Sequence, residues 1–428
     1  MMKLLNLSIK SKINGFKKMK TIMKTTMRWF MAAMMAFAAC ATADAQSSMD
    51  LLREFGKQIQ SKYEGYYDEL YQKKDYAKAE DIINEMLALN ESLPDSIKTE
   101  FAQAYASNKA LLNYDAACMY SLAGQIDKAL SCLLIAYENG WHDYKHAAED
   151  ADLNNIRNTE QYKQIVADMR ENFDYEYVLH RGGGYRVSER RDTLPRITYA
   201  DASNPGLEMV RRHFRLDSVA AGGDEISKIK RILTFIHNRI RHDGMHANPG
   251  AMNAIDLDNA CADGSRGLNC RGLATVLNEC YLAMGFKSRF ITCFPRDYKS
   301  DCHVINMVYS RTLKRWIWMD PTHNSWITDE NGNLLGMKEF RERRLAGQPY
   351  VLNDEANWNN ETKSTKDYYL DEYMTKNAYA IEICTHYGFG TEQNVSHRIT
   401  LLPENANITG FSVQKATCDA DWFWAAPE

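Results

Sequence analysis

The sequence predicts an α+β protein with an all-α domain at its N-terminal side. Apolar residues recur at helical spacing through residues 47–175, where Pro94 is the only proline. From residue 288 the pattern changes to short runs rich in β-branched and aromatic residues, separated by polar turns. Strands joined by short turns pair antiparallel, so we expect helices and sheet to be segregated along the chain. A chain of 428 residues accommodates two or three such domains.

The first 45 residues have the pattern of a secretory signal peptide. Residues 1–28 carry basic side chains and no acidic one, and the apolar run WFMAAMMAFAA follows at residues 29–39. The run is too short to cross a bilayer, and small residues before Ala45 form a cleavage pattern. We therefore predict export, to the periplasm or beyond the cell, after cleavage that leaves Gln46 as the first residue.

Lipid attachment at Cys40 is the alternative for this end of the chain. The stretch FAAC resembles a bacterial lipobox, although Phe37 occupies the position where leucine is usual. In both cases the mature protein is exported and has no transmembrane span. The chain has a formal net charge of −4, and its basic residues concentrate in the segment that would be removed. This balance argues against nucleic acid as a partner.

The helical domain, predicted over residues 46–175, contains a repeat-like stretch, NYDAACMYSLAGQIDKALSCLLIAYENG. It resembles a tetratricopeptide repeat, in which small residues let two helices approach and larger residues fill the space between them. The stretch DYAKAEDIINEML resembles a second, weaker copy. A repeat stack would offer a concave surface to a peptide or protein partner, whereas a plain helical bundle is the other interpretation. The positions that carry the pattern are Ala117, Tyr120, Ala129, Leu133 and Ala136.

A second domain is predicted over residues 176–350, after a segment rich in glycine, proline and polar residues. Its helix DEISKIKRILTFIHNRI has apolar residues along one face and Asp224 as a candidate N-cap. A polar loop then leads to a helix beginning at Cys270, which Asn269 would cap and Gly285 would terminate.

Strands are predicted at residues 288–294, 302–310 and 315–320, where β-branched and aromatic residues dominate. Residues 351–428 mix short strand-like runs with turns. We predict that they form a C-terminal β extension of the second domain, which prolongs the sheet or adds a small lobe.

Cys270 is placed where a thiol is easily ionised. The first turn of a helix has free backbone N–H groups, and these groups and the helix dipole stabilise an anion. The same N–H groups could bind an oxyanion. A free cysteine is also a common small apolar residue of protein cores, so its position alone leaves both interpretations open.

His303 begins one predicted strand and Asp320 ends the next. If residues 310 and 315 close the turn between the strands, the two side chains share one face of the sheet as diagonal neighbours. A carboxylate beside an imidazole orients the ring and stabilises its charged form, as in a catalytic triad. An ordinary surface pair of histidine and aspartate would have the same pattern.

Together these residues resemble the transglutaminase-like superfamily over residues 225–325. The resemblance implies a papain-like α+β core in which Cys270 is the nucleophile, His303 the general base and then acid, and Asp320 the orienting carboxylate. It implies no cofactor and no metal. The matching positions are Gly267, Cys270, Ala274, Gly285, Arg289, His303, Trp316, Asp320, Pro321 and Thr322.

The second oxyanion donor is left open by the resemblance. Many members of the superfamily take it from a tryptophan, glutamine or asparagine upstream of the cysteine. Residues 243–269 contain neither tryptophan nor glutamine, so the candidates beside the backbone of Cys270 are Asn253, Asn259 and Asn269.

Histidines and cysteines elsewhere give weaker signals. The spacing of His237, His242 and His246 matches no metal motif, so we expect structural or solvated side chains. Cys302 adjoins His303, and strand alternation assigns it to the opposite face, for core packing or a disulfide. An odd number of cysteines follows Cys40, so at least one thiol is free of intrachain bridges, and we predict that Cys270 is unpaired.

These patterns predict an exported cysteine enzyme acting on amides of peptides or proteins. Attack of the thiolate on a carbonyl would give a thioester acyl-enzyme. Water would complete hydrolysis and an amine would complete transfer; we favour hydrolysis. The alternative is a weakly active or inactive scaffold protein that uses its helical repeats to hold a partner.

Overall fold

The computed structural model of the protein describes residues 43–186, 194–297, 301–393, 398–407 and 415–428. The chain divides into two compact units, the first ending at Phe173 and the second beginning at Asp174. Cys40 and nearly all of the predicted signal peptide lie outside the described residues. Within those residues, no helix combines the length and the apolar character needed to cross a membrane.

The first unit is helical, as predicted. A π-helical turn, Asp68–Lys73, continues its first helix, and a 3₁₀ turn, Ala151–Leu153, precedes its last. The α-helices are α1 (Ala43–Tyr67), α2 (Tyr76–Glu91), α3 (Asp95–Glu100), α4 (Ala102–Leu122), α5 (Ile126–Glu138), α6 (Tyr144–Glu149) and α7 (Glu160–Phe173).

Helices α4 and α5 pack against each other across a short turn. Gly124 has a φ of 75° in this turn, a left-handed conformation that glycine adopts without strain. The small residues of the repeat-like pattern lie at the helix–helix contact, and their size lets the two backbones approach. All five positions of the pattern are buried: Ala117, Tyr120, Ala129, Leu133 and Ala136.

The second unit combines helices with a six-stranded sheet. Its α-helices are α8 (Tyr175–Gly182), α9 (Pro205–His213), α10 (Leu216–Val219), α11 (Glu225–Arg239), α12 (Ala254–Ala260), α13 (Cys270–Ala283), α14 (Met337–Ala346), α15 (Thr375–Asn377) and α16 (Ala420–Phe423). Its strands are β1 (Thr198–Tyr199), β2 (Ser288–Phe294), β3 (His303–Ser310), β4 (Arg315–Met319), β5 (Ile327–Thr328), β6 (Val351–Leu352), β7 (Asn357–Trp358), β8 (Thr362–Lys363), β9 (Ala380–Cys384), β10 (His386–Tyr387), β11 (Arg398–Leu401) and β12 (Ala416–Thr417).

The main sheet has the order β12-β11-β9-β2-β3-β4. Neighbouring strands are antiparallel except for β11 and β12, which are parallel. The three strands predicted between residues 288 and 320 are therefore confirmed as β2, β3 and β4. Ser310 pairs with Arg315, which is the turn register predicted from the sequence.

Helix α13 lies at the centre of the second unit. The predicted caps are confirmed: Asn269 caps its start, and Gly285 follows its end with a φ of 78°. The amide of Asn306 on β3 donates to the carbonyl oxygen of Ala274 at 2.9 Å and joins the helix to the sheet. On another side, the Tyr281 hydroxyl donates to the carbonyl oxygen of Ile229 on α11 at 2.9 Å. The helix is buried all round from Gly272 to Ala283, whereas its sequence suggested a single apolar stripe.

Residues 351–428 contribute strands β9, β11 and β12 to the main sheet. They also form a π-helical segment, Lys366–Met374, which the short apolar runs of this region did not indicate. The hydroxyl of Thr365 accepts the N–H of Tyr368 at 3.3 Å and starts this segment. This π-helical segment contributes aromatic side chains to the candidate active site.

Candidate active site

Cys270 is the first residue of α13, and its side chain is half-buried. The side-chain oxygen of Asn269 accepts the N–H groups of Arg271 and Gly272 at 3.1 and 3.2 Å. Asn248 holds this cap in place, since its amide donates to the same oxygen at 2.7 Å. The cap therefore uses the next two N–H groups and leaves that of Cys270 for another acceptor.

The residues before α13 run beside residues 241–243. The N–H of Leu268 donates to Arg241 at 3.1 Å, and the N–H of Asp243 donates to Leu268 at 2.7 Å. A side chain at Gly267 would overlap the carbonyl oxygen of Arg241, so this approach requires glycine. The pairing fixes the start of α13, and it sets His242 beside Leu268, two residues before Cys270.

His303 and Asp320 form a buried pair on the sheet. The Nε2 atom of His303 lies 2.8 Å from Oδ2 of Asp320, and the two side chains are 2% and 0% exposed. Strand β3 begins at His303, and Asp320 follows the end of β4. The pairing of Ser310 with Arg315 sets the register that brings the two residues together, which excludes an exposed surface pair.

The thiol of Cys270 lies close enough to His303 to raise the pKa of its ring. Nε2 of the ring faces Asp320, which leaves Nδ1 for another partner. The structure thus brings together all three residues that the sequence nominated as catalytic. His303 is bonded to Asp320, and Cys270 lies near the same ring.

The charges of the pair support each other. Burial acts to lower the pKa of His303, but the Asp320 carboxylate and the Cys270 thiol outweigh it and raise that pKa. Burial acts to raise the pKa of Asp320, but the charge of His303 holds it well below its usual range. The Asp320 carboxylate therefore favours the charged form of the imidazole.

Two further donors bind the Asp320 carboxylate. The N–H of Thr322 donates to Oδ1 at 2.8 Å, from the Asp-Pro-Thr turn that forms part of the family resemblance. The hydroxyl of Tyr369 donates to Oδ2, the oxygen that also faces His303. Both oxygens of this buried carboxylate are thereby satisfied.

Two more histidines lie beside the pair. Burial, aided by the charge of His303, lowers the pKa of His242 to about 4. Burial also lowers the pKa of His323 to about 4. The indole Nε1 of Trp358 lies 3.2 Å from Nδ1 of His242. An indole only donates, so the His242 ring is neutral with its proton on Nε2.

Strands β7 and β8 form a hairpin that docks on His242. The side chain of Asn359 accepts from the N–H of His242 at 2.6 Å and donates to its carbonyl oxygen at 3.1 Å. The Trp358 side chain is 37% exposed, so part of its indole faces solvent. The sequence indicated a structural or solvated histidine at 242, because no local pattern links it to residue 268 or to residue 358.

The three asparagines nominated as oxyanion donors occupy different places. Asn269 adjoins Cys270 at the helix start. Asn253 caps α12: its side chain accepts from the N–H of Asp256 at 3.1 Å and donates to the Asp256 carboxylate at 2.7 Å. Asn259 is exposed near the end of α12. Of the three, Asn269 is next to the nucleophile in the chain.

Among the residues that the structure describes, two groups of side chains bring metal-ligating atoms within 4.8 Å of one another. In the second unit, His303 and Asp320 of the first group are already bonded to each other, so we assign that group to the hydrogen-bonded network. In the helical unit, one carboxylate oxygen of Asp150 accepts from Tyr114 at 2.9 Å and from Cys118 at 3.7 Å. The groups are His303, Asp320 and His323, and Cys118, Asp150 and Asp152.

The nine cysteines in the described part of the chain all have free thiols, including Cys270. Cys302 precedes strand β3 instead of lying within it, so strand alternation does not set its direction. Burial and the nearby Cys270 raise the pKa of the Cys302 thiol to about 11. Its thiol is thus a neutral neighbour of the nucleophile at physiological pH.

Residues 213–321 match the family model of the transglutaminase-like superfamily. The chain therefore contains a transglutaminase-like domain, and the matched stretch includes Cys270, His303 and Asp320. At a coarse level, this match supports a cysteine-type enzyme. Tyr369 and Trp358 lie outside the matched residues.

Two individual proteins are similar to parts of the chain. A chloroplastic protein of Arabidopsis thaliana is 28% identical over 71 residues, which are 17% of this chain and 21% of that protein. A Cytophaga hutchinsonii protein, assigned as a cysteine protease, has a solved structure with 17% identity and a TM-score of 0.21. That alignment covers 34% of this chain and 47% of the other. The chain thus spans about a fifth of the first relative and about half of the second.

Proposed function

We propose that the protein hydrolyses amide bonds of peptides or proteins with Cys270 as the nucleophile. The observation that carries the proposal is the grouping of the Cys270 thiol with the buried, hydrogen-bonded pair of His303 and Asp320. A buried imidazole oriented by a carboxylate can take up the proton of a nearby thiol, and this activates the sulfur as a nucleophile.

In the first half of the reaction the Cys270 sulfur attacks the carbonyl carbon of the substrate. The carbonyl oxygen gains negative charge, and the N–H of Cys270 and the side-chain amide of Asn269 are the candidate donors to it. His303 then gives its proton to the leaving amine, the C–N bond breaks, and a thioester remains on Cys270.

In the second half His303, now neutral, takes a proton from water. The hydroxide attacks the thioester carbon, the C–S bond breaks and the carboxylic acid leaves. The one proton taken from water stays with the pair of Cys270 and His303, which restores the starting state. A primary amine in place of water would give transfer instead of hydrolysis. Asp320 keeps the ring oriented throughout and stabilises its charged form.

The test compares the reactivity of the cysteines and the turnover of variants. At about pH 6.5, below the reference pKa of a free thiol, iodoacetamide should alkylate Cys270 faster than the other cysteines. Cys270→Ala should abolish turnover of a fluorogenic peptide library, whereas Cys261→Ala, which alters another half-buried cysteine of the same unit, should retain it. Equal alkylation of Cys270 and Cys261, or full turnover by Cys270→Ala, would refute the proposal.

Hydrolysis and transfer are separated by adding a primary amine to the same reaction. We expect the free acid to dominate among the products, and mass spectrometry of those products measures the ratio. A predominance of the amine adduct would make the protein a transferase that uses the same residues.

We propose that the protein is exported, because its first 45 residues have the pattern of a signal peptide. N-terminal mass spectrometry of protein from its own host should find Gln46 first. A lipid-modified Cys40 would establish the anchored alternative, and an intact residue 1–45 segment would contradict export by this route.

We further propose that the helical unit is tetratricopeptide-like and holds the protein substrate or a partner. The buried small residues between α4 and α5 support this, since they match the spacing of such repeats. A chain that begins at Asp174 should show a raised KM for a protein substrate and an unchanged KM for a short peptide cut from it. If the truncated chain and the full chain have the same KM for the protein substrate as well as for the peptide, this result would argue against such a role.

A further inference from the structure

Tyr369 completes the site from outside the residues that match the family model. It lies on the π-helical segment Lys366–Met374 and is 0% exposed. We propose that Tyr369 is a positioning residue, whose hydroxyl holds the Asp320 carboxylate in the orientation that serves His303. The inference rests on the function proposed above, because it assigns Tyr369 a role through the same imidazole.

The donors to Asp320 leave its carboxylate one orientation. His303 and Tyr369 share Oδ2, and the N–H of Thr322 occupies Oδ1 at 2.8 Å. Rotation of the carboxylate would break at least one of these bonds inside a buried site, where an unpaired polar group is costly. The Tyr369 hydroxyl therefore keeps Oδ2 facing His303.

Tyr369 is itself held by a directed chain of donors. The indole Nε1 of Trp318 donates to the Ser325 hydroxyl at 3.4 Å, and Ser325 donates to the Tyr369 oxygen at 3.1 Å. An indole has no acceptor, so the direction of the chain is fixed and every hydroxyl donates towards Asp320. Donors in series polarise one another, which strengthens the last bond, the one to the charged carboxylate.

A buried tyrosine that only satisfied its own hydroxyl would need a single acceptor. Here the chain of hydrogen-bond donors ends on Oδ2 of Asp320, the oxygen that also binds the His303 ring. The tyrosine ring is held as well, because His323 packs on it at 4.2 Å between ring centroids. Burial acts to raise the pKa of Asp320, and the charge of His303 acts to lower it. The bond from Tyr369 also contributes to lowering this pKa. These contacts point to a role in the reaction rather than in packing alone.

The decisive experiment is Tyr369→Phe, which removes only the hydroxyl. Tyr387→Phe is the matched control: it is also 0% exposed, and its hydroxyl donates to the carbonyl oxygen of Phe290 at 2.9 Å on the same sheet. The low-field proton NMR signal of the His303 ring N–H, assigned by its loss in His303→Ala, reports the bond to Asp320. We expect this signal to shift and broaden in Tyr369→Phe and to stay unchanged in Tyr387→Phe.

A kinetic comparison tests the same point through the leaving group. Acylation by an amide needs a proton from His303, whereas acylation by a p-nitrophenyl ester with the same acyl group does not. In Tyr369→Phe we expect kcat for the amide to fall about tenfold or more, with a smaller change for the ester and an unchanged KM. Equal losses for both substrates would mean a structural role only.

An unchanged ring N–H signal in folded Tyr369→Phe would overturn the inference, whatever the activity. If Tyr369→Phe does not fold, Ser325→Ala provides a second test, because it keeps Tyr369 and removes the hydroxyl that donates to it. This variant should shift the ring N–H signal in the same direction, by a smaller amount. The NMR signal needs no substrate, so failure of this inference is distinct from failure of the proposed function, which the Cys270 variants decide.

Discussion

At the scale of the residue, the site depends on the balance between burial and charge at His303. A buried imidazole alone would lose its proton easily, but Asp320 reverses this effect and raises the pKa of His303. The cation therefore persists at a pH above the ordinary range of histidine. Protonation of the leaving group needs this cation, so it should continue up to the same elevated pH.

Asp320→Asn tests this balance, because it removes the charge and keeps the shape. The alkaline limb of amide turnover should move to lower pH by about one unit or more, since the imidazolium loses its counter-charge. Turnover measured across the alkaline range provides the readout. Asp329→Asn, which alters a carboxylate bound to Asn333 in a turn of the same unit, should leave the limb in place. An unmoved limb in Asp320→Asn would show that another group controls it.

At the scale of the element, helix α13 both presents the nucleophile and forms the centre of its unit. Its cap is made by the side chain of Asn269, and the cap of α11 is made in the same way by Asp224, which accepts the N–H of Ser227 at 2.8 Å. Both helices thus begin with the same kind of bond, but only one of them begins at the site.

Asn269→Ala and Asp224→Ala should each lower the free energy of unfolding by about 1 kcal/mol, the usual value of an N-cap. Only Asn269→Ala should slow the alkylation of Cys270, because the sulfur belongs to the first turn of α13, which would fray without its cap. Chemical denaturation and alkylation rates measure the two effects. Equal alkylation rates in the two variants would mean that the helix start does not activate the thiol.

At the scale of the whole molecule, the second unit depends on contacts between distant parts of the chain. The buried Glu279 on α13 accepts the N–H of Ala254 and the N–H of Gly390, each at 2.9 Å. Burial raises the pKa of Glu279 to about 7, although these two bonds act in the opposite direction. The folded protein thus binds a proton here that the unfolded chain has released.

The sign of the pH effect follows from this raised pKa. The stabilisation by the neutral carboxyl is full below the unfolded pKa of about 4.5 and is lost as pH rises through about 7. The Glu279→Gln side chain is neutral at every pH. As pH rises, the free energy of unfolding of this variant should therefore increase relative to that of the wild type, by roughly 3 kcal/mol in total. Urea denaturation at several pH values measures the difference. A difference independent of pH would contradict the assignment.

The C-terminal residues should be required for the fold and not only for the site. Strand β9 lies between β2 and β11, and Tyr369 reaches Asp320 from the same region. A chain ending at residue 350 would expose one edge of β2 and deprive the Asp320 carboxylate of the Tyr369 donor. We expect it to lack a cooperative unfolding transition by circular dichroism. A cooperative transition like that of the full chain would contradict this.

The sequence by itself determined what depends on near neighbours. Helical spacing predicted the first unit, Asn269 and Gly285 delimited α13, and the turn between residues 310 and 315 set the register that joins His303 to Asp320. Each of these follows from local periodicity, capping or turn length. Such features act over a few residues and are therefore readable in a single chain.

Only the tertiary structure decided which distant segments meet. The docking of Trp358 on His242 and the reach of Tyr369 to Asp320 join residues 116 and 49 positions apart, and no local pattern encodes either contact. The complete burial of α13 was likewise unreadable, because the surfaces that cover its polar side come from the rest of the unit. Periodicity tells which face of an element is apolar, whereas packing decides what covers it and which polar groups become a site.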